Sequence, residues 1–213
     1  MPRRSPPAAL CRGKEYGSIG DARNRADRTS DSLTDEQVHA IIEAAMVAFA
    51  SGRLFQRHWI VHYGRAGIQP DDAMRFIGKL IDLVSKQARR DGGSLTCIWV
   101  RERSSKYGEH IRILLHLPEL TTLHNRTRRW IELAGGKCVA GVSRVKAVRG
   151  RKGQGAGRAL HRANAEHLTR YLLKACGKEI GERFALSWSD RKGRIVGKRW
   201  GQTDNLKAGV VVD

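Results

Sequence analysis

Apolar and polar positions follow two periods along the chain, and together they divide its middle into strand-like and helix-like segments. Runs rich in β-branched and aromatic residues predict strands, while apolar residues that recur every three or four positions predict helices. Glycine pairs such as Gly92-Gly93 mark the ends of the helical patterns. In chain order the predicted segments are a strand at 57–63, a helix that starts at 70–72, strands at 95–102 and 110–117, a helix at 121–134 and a strand at 137–148.

The order of these segments predicts the fold class. Strand, helix, strand, strand, helix, strand is the split βαβ order of ferredoxin-like folds, so we expect an α+β protein built on an antiparallel sheet. In such a fold the helices cover one face of the sheet and the other face stays open. An N-terminal helix and a C-terminal extension complete the predicted architecture.

The segments that flank this core have simpler patterns. The start of the chain is rich in Pro, Arg, Ser, Asp and Gly with little apolar periodicity, which predicts disorder. Thr34 then opens a helix, with Gln37 as its capping-box partner. A third core helix is expected at about 164–176. The predicted division is a disordered basic arm at 1–33, a helix at 34–52, a core at 53–180 and an extension at 181–213.

The net charge of the chain indicates what kind of molecule it binds. Lys and Arg number 40 against 21 Asp and Glu, so the formal net charge is +19 and a polyanionic partner is expected. The basic residues are scattered through strands, loops and helices, as in a nucleic-acid groove, and no separate Lys/Arg-rich amphipathic helix points to a membrane surface. Nucleic acid is therefore the expected partner, and counterion release from its phosphates would drive the association.

Cysteine usage and hydropathy indicate the compartment. The four cysteines are far apart and form no CxxC pair, so neither a zinc site nor a disulfide framework is predicted. No apolar run reaches the ~18 residues of a membrane span, and the charged, proline-rich start lacks the apolar stretch of a signal peptide. These features predict a reducing, cytoplasmic location and no membrane partner.

A run of cations follows the last predicted core strand. Between Arg144 and Arg162 the chain has seven Lys or Arg residues and no acidic residue. The glycine-rich part of this run, 149–157, predicts a flexible basic loop beside DNA, with a solvated mobile loop as the alternative. The residues predicted to bind DNA are Arg144, Lys146, Arg149, Arg151, Lys152, Arg158, Lys198 and Arg199.

Two pairs of residues have the chemistry to act on a phosphodiester. If the hairpin between the central strands is symmetric about Lys106, Glu102 and His110 are cross-strand neighbours, with Cβ atoms roughly 4.5–5.5 Å apart. Such a pair can share an ion or a phosphate. On the third helix Tyr171 and Lys174 form a Tyr-x-x-Lys pair, which places a nucleophilic phenol one turn from a cation. Attack by this phenol would give a phosphotyrosine.

The order of these motifs resembles the HUH-type rolling-circle replication initiators, the nicking endonucleases of small plasmids and filamentous phages. The stretch GEHIRILLHLP is similar to their histidine–hydrophobic–histidine motif, and a Tyr-x-x-Lys helix follows it, as in that family. The resemblance covers most of the core at 53–180. It implies an HUH-like endonuclease that cuts one strand of DNA, at a single-stranded or hairpin origin, with magnesium or manganese.

The resemblance also assigns roles by position. His110 is the first motif histidine, and Glu102 lies where some members have the third metal ligand. Tyr171 falls on the nucleophile and Lys174 on its lysine. Arg112, however, occupies the place of the second histidine, and arginine cannot ligate a metal ion because it stays protonated. Glu102 and His110 with water molecules would make only a weak magnesium or manganese site.

Two hypotheses explain why an arginine, Arg112, occupies the place of the second motif histidine. Its guanidinium could take the place of the ion, pair with Glu102 and clamp the phosphate directly. The substitution could equally have ended catalysis, which would leave a non-catalytic DNA- or RNA-binding protein on the same fold. The first hypothesis assigns catalysis to Tyr171, Lys174 and Arg112.

The other histidines have more ordinary interpretations. His58 and His62 share a strand face and are expected to be half-exposed, although they could line the same groove. His161 is expected to be solvated or to touch phosphate, and His167, one turn before Tyr171, is a candidate base.

The tryptophans divide by context. Those within strand or helix patterns are expected in the core, and those in the polar C-terminal part are candidates for base stacking. The first group is Trp59, Trp99 and Trp130, and the second is Trp188 and Trp200.

Overall fold

The computed structural model of the chain describes residues 28–105, 108–150, 156–188 and 193–207. Within these ranges the strands are β1 (Thr29–Ser30), β2 (Arg57–Val61), β3 (Thr96–Ser104), β4 (Gly108–His116), β5 (Ser143–Ala147), β6 (Ile195–Val196) and β7 (Trp200–Gln202). The helices are α1 (Asp35–Ala50), α2 (Ala73–Arg90), α3 (Arg126–Leu133), α4 (Ala156–Leu172) and α5 (Lys178–Arg183), and short 3₁₀ turns precede α2 and follow α4.

Five strands form one antiparallel sheet in the order β5-β2-β4-β3-β7, and β1 and β6 form a separate antiparallel pair. The α+β class predicted from the sequence is confirmed. From β2 to β5 the chain runs strand, helix, strand, strand, helix, strand, as predicted. The ferredoxin-like assignment itself stays a prediction, since the sheet also contains β7, which comes from the C-terminal extension.

One face of the sheet, here called the α2 face, is covered by α2 and α3. α2 buries Leu80 and Val84 against the strands and carries charged residues on its other side. As predicted, the core on this face includes Trp59, Trp99 and Trp130. Burial of this apolar stripe is the main favourable contribution to packing here. Neither α2 nor any other helix in the described ranges is both long and apolar enough to cross a membrane.

The opposite face, here called the α4 face, is not open, contrary to the prediction. The apolar side of α1, with Val38 and Ile41, forms one cluster with Leu172 at the end of α4. This cluster includes Ile98 and Leu114 of the sheet. The core helices α2 and α3 share one face, as predicted, but the expectation of an open opposite face was wrong, because α1 has an apolar stripe of its own that must be buried. The remainder of this face is mostly polar, with Ile60 as an apolar exception.

Both flanks of the described chain are held in the fold. Thr34 and Gln37 form the predicted capping box at the start of α1. β1 pairs with β6, and β7 pairs with β3. Residues 28–33 and 193–207 thus belong to the folded body, although the predicted division placed both outside the core at 53–180. The rest of the predicted arm, 1–27, lies outside the described residues.

Two helices have different limits from those predicted. α4 begins at Ala156, well before residue 164, because His161 gives its first half a buried side. α3 begins only at Arg126, since Asn125 has a left-handed backbone with φ 59° that a helix cannot include. The earlier start of α4 places a longer helix over the α4 face.

Candidate active site

The β3–β4 hairpin has the symmetric register expected from its sequence. Glu102 and His110 are directly opposite each other, and Val100 is opposite Arg112. Because side chains alternate between faces along a strand, Glu102, His110 and Arg112 all lie on the α4 face. Lys106, at the tip, lies outside the described residues. Strand alternation thus brings the acid, the imidazole and the guanidinium together.

The carboxylate of Glu102 is the centre of a group that contains two cationic side chains and one imidazole. Its Oε2 atom lies 3.1 Å from Nε of Arg112, 3.3 Å from Nε2 of His110 and 3.4 Å from Nζ of Lys174. We call these four side chains the charge cluster. The other oxygen, Oε1, is buried and has no hydrogen-bond partner among the described residues. One carboxylate oxygen therefore holds both cations.

The surroundings of Glu102 keep it ionised. Burial on its own raises the pKa of a carboxyl group, but here the imidazole of His110, whose Nε2 lies 3.3 Å away, and the two neighbouring cations outweigh burial. Together they lower the pKa of Glu102 to about 2. The carboxylate is therefore an anion across the physiological range. A buried anion of this kind is stable only while its cations stay in place.

The phenol of Tyr171, at the last turn of α4, lies beside the charge cluster. Nζ of Lys174 donates a hydrogen bond of 3.1 Å to its Oη and lies 4.3 Å from the ring centroid. Cζ of Arg112 is 5.0 Å from the same centroid. Tyr171 is 36% exposed, so a ligand can approach it from solvent. The structure thus brings together the three residues to which the sequence assigns catalysis.

His58 of β2 is a further neighbour of Tyr171, with the two ring centroids 6.5 Å apart in an edge-to-face arrangement. The expectation that His58 is half-exposed was wrong, because it is 5% exposed and its Nε2 has no hydrogen-bond partner among the described residues. Burial, followed by the charges of Arg112 and Lys146, lowers the pKa of His58 to about 4, so the ring is neutral at pH 7. Strand alternation in the sequence places His58 on this face, but its burial depends on the late helix α4.

The donor groups do not fit the magnesium or manganese site that the resemblance implies. Glu102 and His110 offer two donors, and the half-buried His62 has its ring centroid 5.0 Å from that of His110. No three His, Cys, Asp or Glu side chains in the described ranges are grouped to hold a metal ion. Arg112 and Lys174 instead contact the carboxylate, and their protonated nitrogens can only donate.

The edge strand β5 carries cations beside this site. Arg144 is opposite Ile60 and Lys146 is opposite His58, so both cations lie on the α4 face. Ile60 is in turn opposite Arg112, which puts Arg112 and Arg144 in one row across the sheet. Arg144 and Lys146 are exposed. We call this pair the basic margin.

The other residues predicted to bind DNA have different positions. Arg149, at the start of the predicted basic loop, and Arg158, directly after it, are exposed, and Lys198 is exposed before β7. Arg151 and Lys152 belong to 151–155, which lies outside the described residues, so their assignment stays a prediction.

Arg199 is buried and does not face a ligand, contrary to the prediction. Its guanidinium donates to the hydroxyl and the carbonyl of Ser30 and, at 2.9 Å, to the carbonyl of Gly193. Burial, followed by the charge of Arg101, lowers the pKa of Arg199 to about 10, which still leaves it a cation at neutral pH. Arg199 therefore fastens the β1 segment to the C-terminal strands.

Three more residues predicted at the surface also pack into the fold. Trp188 and Trp200 are half-buried against the apolar cluster of the α4 face, so part of each ring is used for packing. His161 is buried, and its Nε2 donates to the carbonyl of Phe55 at 2.8 Å, so the expectation of a solvated ring was wrong. His167, the candidate base, is exposed on α4.

A second buried cluster lies on the α2 face around Arg101. The sequence patterns did not predict it. Nε of Arg101 donates to Tyr63 Oη at 3.0 Å, and Nη1 donates to the carbonyls of Val196 and Lys198 at 2.6 and 3.1 Å. Tyr63 donates to Oε2 of Glu109 at 2.7 Å. The available signal was the alternation of charged residues within apolar strands, but the carbonyl partners are far away in sequence.

Comparisons of the chain with models of protein families, with curated proteins and with solved structures found no match. The resemblance to HUH-type initiators therefore stays a prediction made from motifs. A function has to rest on the arrangement of Tyr171 and the charge cluster.

Proposed function

We propose that the chain is a tyrosine-dependent endonuclease that nicks one strand of DNA at a specific site, in the initiation of plasmid or phage replication. The observation that carries the proposal is the phenol of Tyr171, exposed to solvent, 3.1 Å from Nζ of Lys174 and beside Arg112. A nucleophile next to two cations is what attack on a phosphodiester requires. The replication role is drawn from the resemblance to HUH-type initiators.

The proposed reaction is a transesterification. Oη of Tyr171 attacks the scissile phosphorus, a phosphotyrosine bond forms, and the bond from phosphorus to the 3′-oxygen breaks. The phenol proton leaves to solvent or a base, and the departing 3′-oxygen takes a proton and becomes a free 3′-hydroxyl. Arg112 and Lys174 neutralise the charge on the non-bridging oxygens. The energy of the phosphodiester is kept in the phosphotyrosine, so the strand can be resealed.

A single-stranded or hairpin DNA suits this surface best. The net charge of +19 attracts the phosphate backbone, and the basic margin lies on the same face as Tyr171. A flexible strand can bend to bring one phosphate to the phenol while its neighbours contact Arg144 and Lys146. A stiff duplex has less freedom to do so.

A second candidate is a DNA- or RNA-binding protein without catalysis. The ion pair between Arg112 and Glu102 favours it, because the guanidinium already has an anionic partner at 3.1 Å. In that case the basic margin would still bind phosphates, and Tyr171 would contact a base or sugar without forming a bond.

Covalent trapping distinguishes the two candidates. The protein is incubated with single-stranded oligonucleotides of random sequence that carry a 3′-bridging phosphorothiolate, whose thiol product reacts back poorly. We expect a protein–DNA adduct that survives denaturation and that mass spectrometry maps to Tyr171. Tyr171→Phe should give no adduct and keep its affinity for DNA, because only the nucleophilic oxygen is lost. Tyr16→Phe removes the same hydroxyl from a tyrosine of the N-terminal segment at 1–27, outside the described residues, and as the control it should keep both.

Two results would contradict the proposed function. An adduct that persists in Tyr171→Phe would mean that another residue is the nucleophile. Binding of DNA by the wild-type protein without any adduct would support the second candidate.

A further inference from the structure

We propose that Arg112 and Lys174, held in place by Glu102, supply the positive charge at the scissile phosphate, so that cleavage at this site needs no divalent metal. The inference rests on the proposed function and describes how the same site neutralises its substrate. It disagrees with the magnesium or manganese requirement that the resemblance to HUH-type initiators implies.

Glu102 already has two cationic partners within the protein. Nε of Arg112 and Nζ of Lys174 lie 3.1 and 3.4 Å from the same oxygen, Oε2. A divalent ion on this oxygen would have to lie against both cations, and Coulomb repulsion grows with the product of the charges. Arginine cannot relieve that repulsion by losing its proton. Oε2 is therefore committed to the protein's own cations, while the buried Oε1 has no hydrogen-bond partner among the described residues.

Both cations also lie close to the phenol of Tyr171. Nζ of Lys174 joins the cluster to the nucleophile, since it lies 3.4 Å from Glu102 Oε2 and 3.1 Å from Tyr171 Oη. The guanidinium carbon of Arg112 lies 5.0 Å from the Tyr171 ring centroid. Glu102 accepts from Nε of Arg112, which leaves the two terminal nitrogens of the planar group to face a phosphate. A phosphate next to the phenol oxygen is thus within reach of both cations.

Glu102 lies between the two cations and holds them together. Two cations that meet at one point repel each other, and the buried anion between them keeps them together before DNA arrives. The substrate phosphate is then a second anion that Arg112 and Lys174 can neutralise. Glu102 is therefore a positioning residue, which acts through Arg112 and Lys174. Loss of its charge should strengthen the attraction for phosphate and disturb the geometry of the cations.

Two measurements on the full chain test the inference. The first follows adduct formation on the phosphorothiolate substrate in excess EDTA and in added magnesium or manganese. The second titrates Mn²⁺ alone into the protein and follows its paramagnetic resonance signal, which reports binding without any reaction. Arg112→His serves as the positive control, because it adds an imidazole beside Glu102 and His110.

We expect the wild-type adduct to form equally fast in both buffers and Mn²⁺ to remain unbound. Arg112→Met should slow adduct formation by about 10²–10³-fold in either buffer, the usual cost of one electrostatic donor. Arg112→Lys, which keeps the charge without the planar fork, should be intermediate. Glu102→Gln should bind single-stranded DNA more tightly, because an anion is removed, yet form the adduct more slowly.

Opposite results overturn the inference. Loss of the wild-type adduct in EDTA would show that cleavage needs a divalent metal, and Mn²⁺ binding that Glu102→Gln abolishes would make Glu102 a metal ligand. An adduct that is absent in every buffer overturns the proposed function and this inference with it. An adduct that forms only with the metal overturns this inference alone.

Discussion

The β3–β4 hairpin carries two arginine–glutamate pairs, one on each face of the sheet, and their surroundings differ. On the α2 face Nη2 of Arg101 lies 3.5 Å from Oε2 of Glu109, and the side chains are 0% and 8% exposed. On the α4 face Nε of Arg112 lies 3.1 Å from Oε2 of Glu102, and the side chains are 13% and 11% exposed. The ions are the same, so the difference between the pairs lies in what covers them.

The pair on the α2 face is closed by the fold. Arg101 donates to Tyr63 and to the carbonyls of Val196 and Lys198, so its hydrogen-bonding groups are used within the protein. The pair on the α4 face is covered instead by the exposed phenol of Tyr171 and by a second cation. The carbonyls around Arg101 make its ion pair structural, whereas the ion pair of Arg112 lies beside the partly exposed Tyr171, which the proposed function makes the nucleophile.

Removal of each arginine is the strongest way to test this comparison. Arg101→Met leaves Glu109 buried without its cation, so the free energy of unfolding should fall by about 3–5 kcal/mol. Arg112→Met leaves Glu102 with two other partners, and the loss should be smaller, about 1–2 kcal/mol. Urea unfolding followed by circular dichroism measures both losses. Equal losses would show that the two pairs have the same structural role.

Acid stability provides a second difference between the faces, because His58 lies on the α4 face. Its pKa is about 4 in the folded protein against an ordinary 6.5, so the unfolded chain binds more protons as the pH falls through this window. Stability should therefore drop on acidification, by about 3 kcal/mol from this group at pH 4. The titratable and charged groups that face His58 are Arg112, Lys146, Glu102, Lys174 and Tyr171.

The contribution of His58 is obtained by comparison with His58→Gln, which cannot titrate. The variant should lose less stability than the wild-type protein between pH 7 and pH 4 in urea unfolding. His124→Gln, at an exposed histidine, should follow the wild-type curve. Parallel curves for all three proteins would refute the assignment of a depressed pKa to His58.

The smallest expected effect concerns which face meets nucleic acid. Arg144→Ser with Lys146→Ser removes the basic margin, and the negative slope of log K against log salt for a single strand should become shallower by about 0.7 per lost cation. Lys79→Ser with Arg90→Ser removes the same charge from exposed positions on α2, and the slope should stay unchanged. Fluorescence anisotropy over a salt series measures the slopes. Equal changes of the slope in the two double variants would mean that DNA does not bind preferentially to the α4 face.

Local rules were sufficient for the centre of the site. Alternation along a strand puts Glu102 and Arg112 on one face, and a symmetric hairpin puts Glu102 opposite His110. The spacing of Tyr171 and Lys174 puts the phenol and the ammonium on one side of a helix. Each of these relations spans few residues or one tight connection, so the sequence predicts it well.

Long-range contacts were beyond such rules. Arg199 looked like a surface cation, but its partner Ser30 is far away in the chain. His58 looked half-exposed, because nothing near it in sequence shows that α4 covers it. The cover of the α4 face by α1 depends on packing between elements that no local pattern connects. Burial of polar groups was thus the property that the sequence predicted least well.

The carbonyls around Arg101 have a consequence for how the chain folds during its synthesis. β3 emerges from the ribosome long before β7, its edge partner, and before Val196 and Lys198, the acceptors of the Arg101 guanidinium. Until those residues arrive, β3 exposes an unpaired edge and the guanidinium must stay hydrated. Folding that waits for distant segments is slow and prone to association with other chains. A nascent chain is therefore expected to need protection by chaperones until its C-terminal strands have docked.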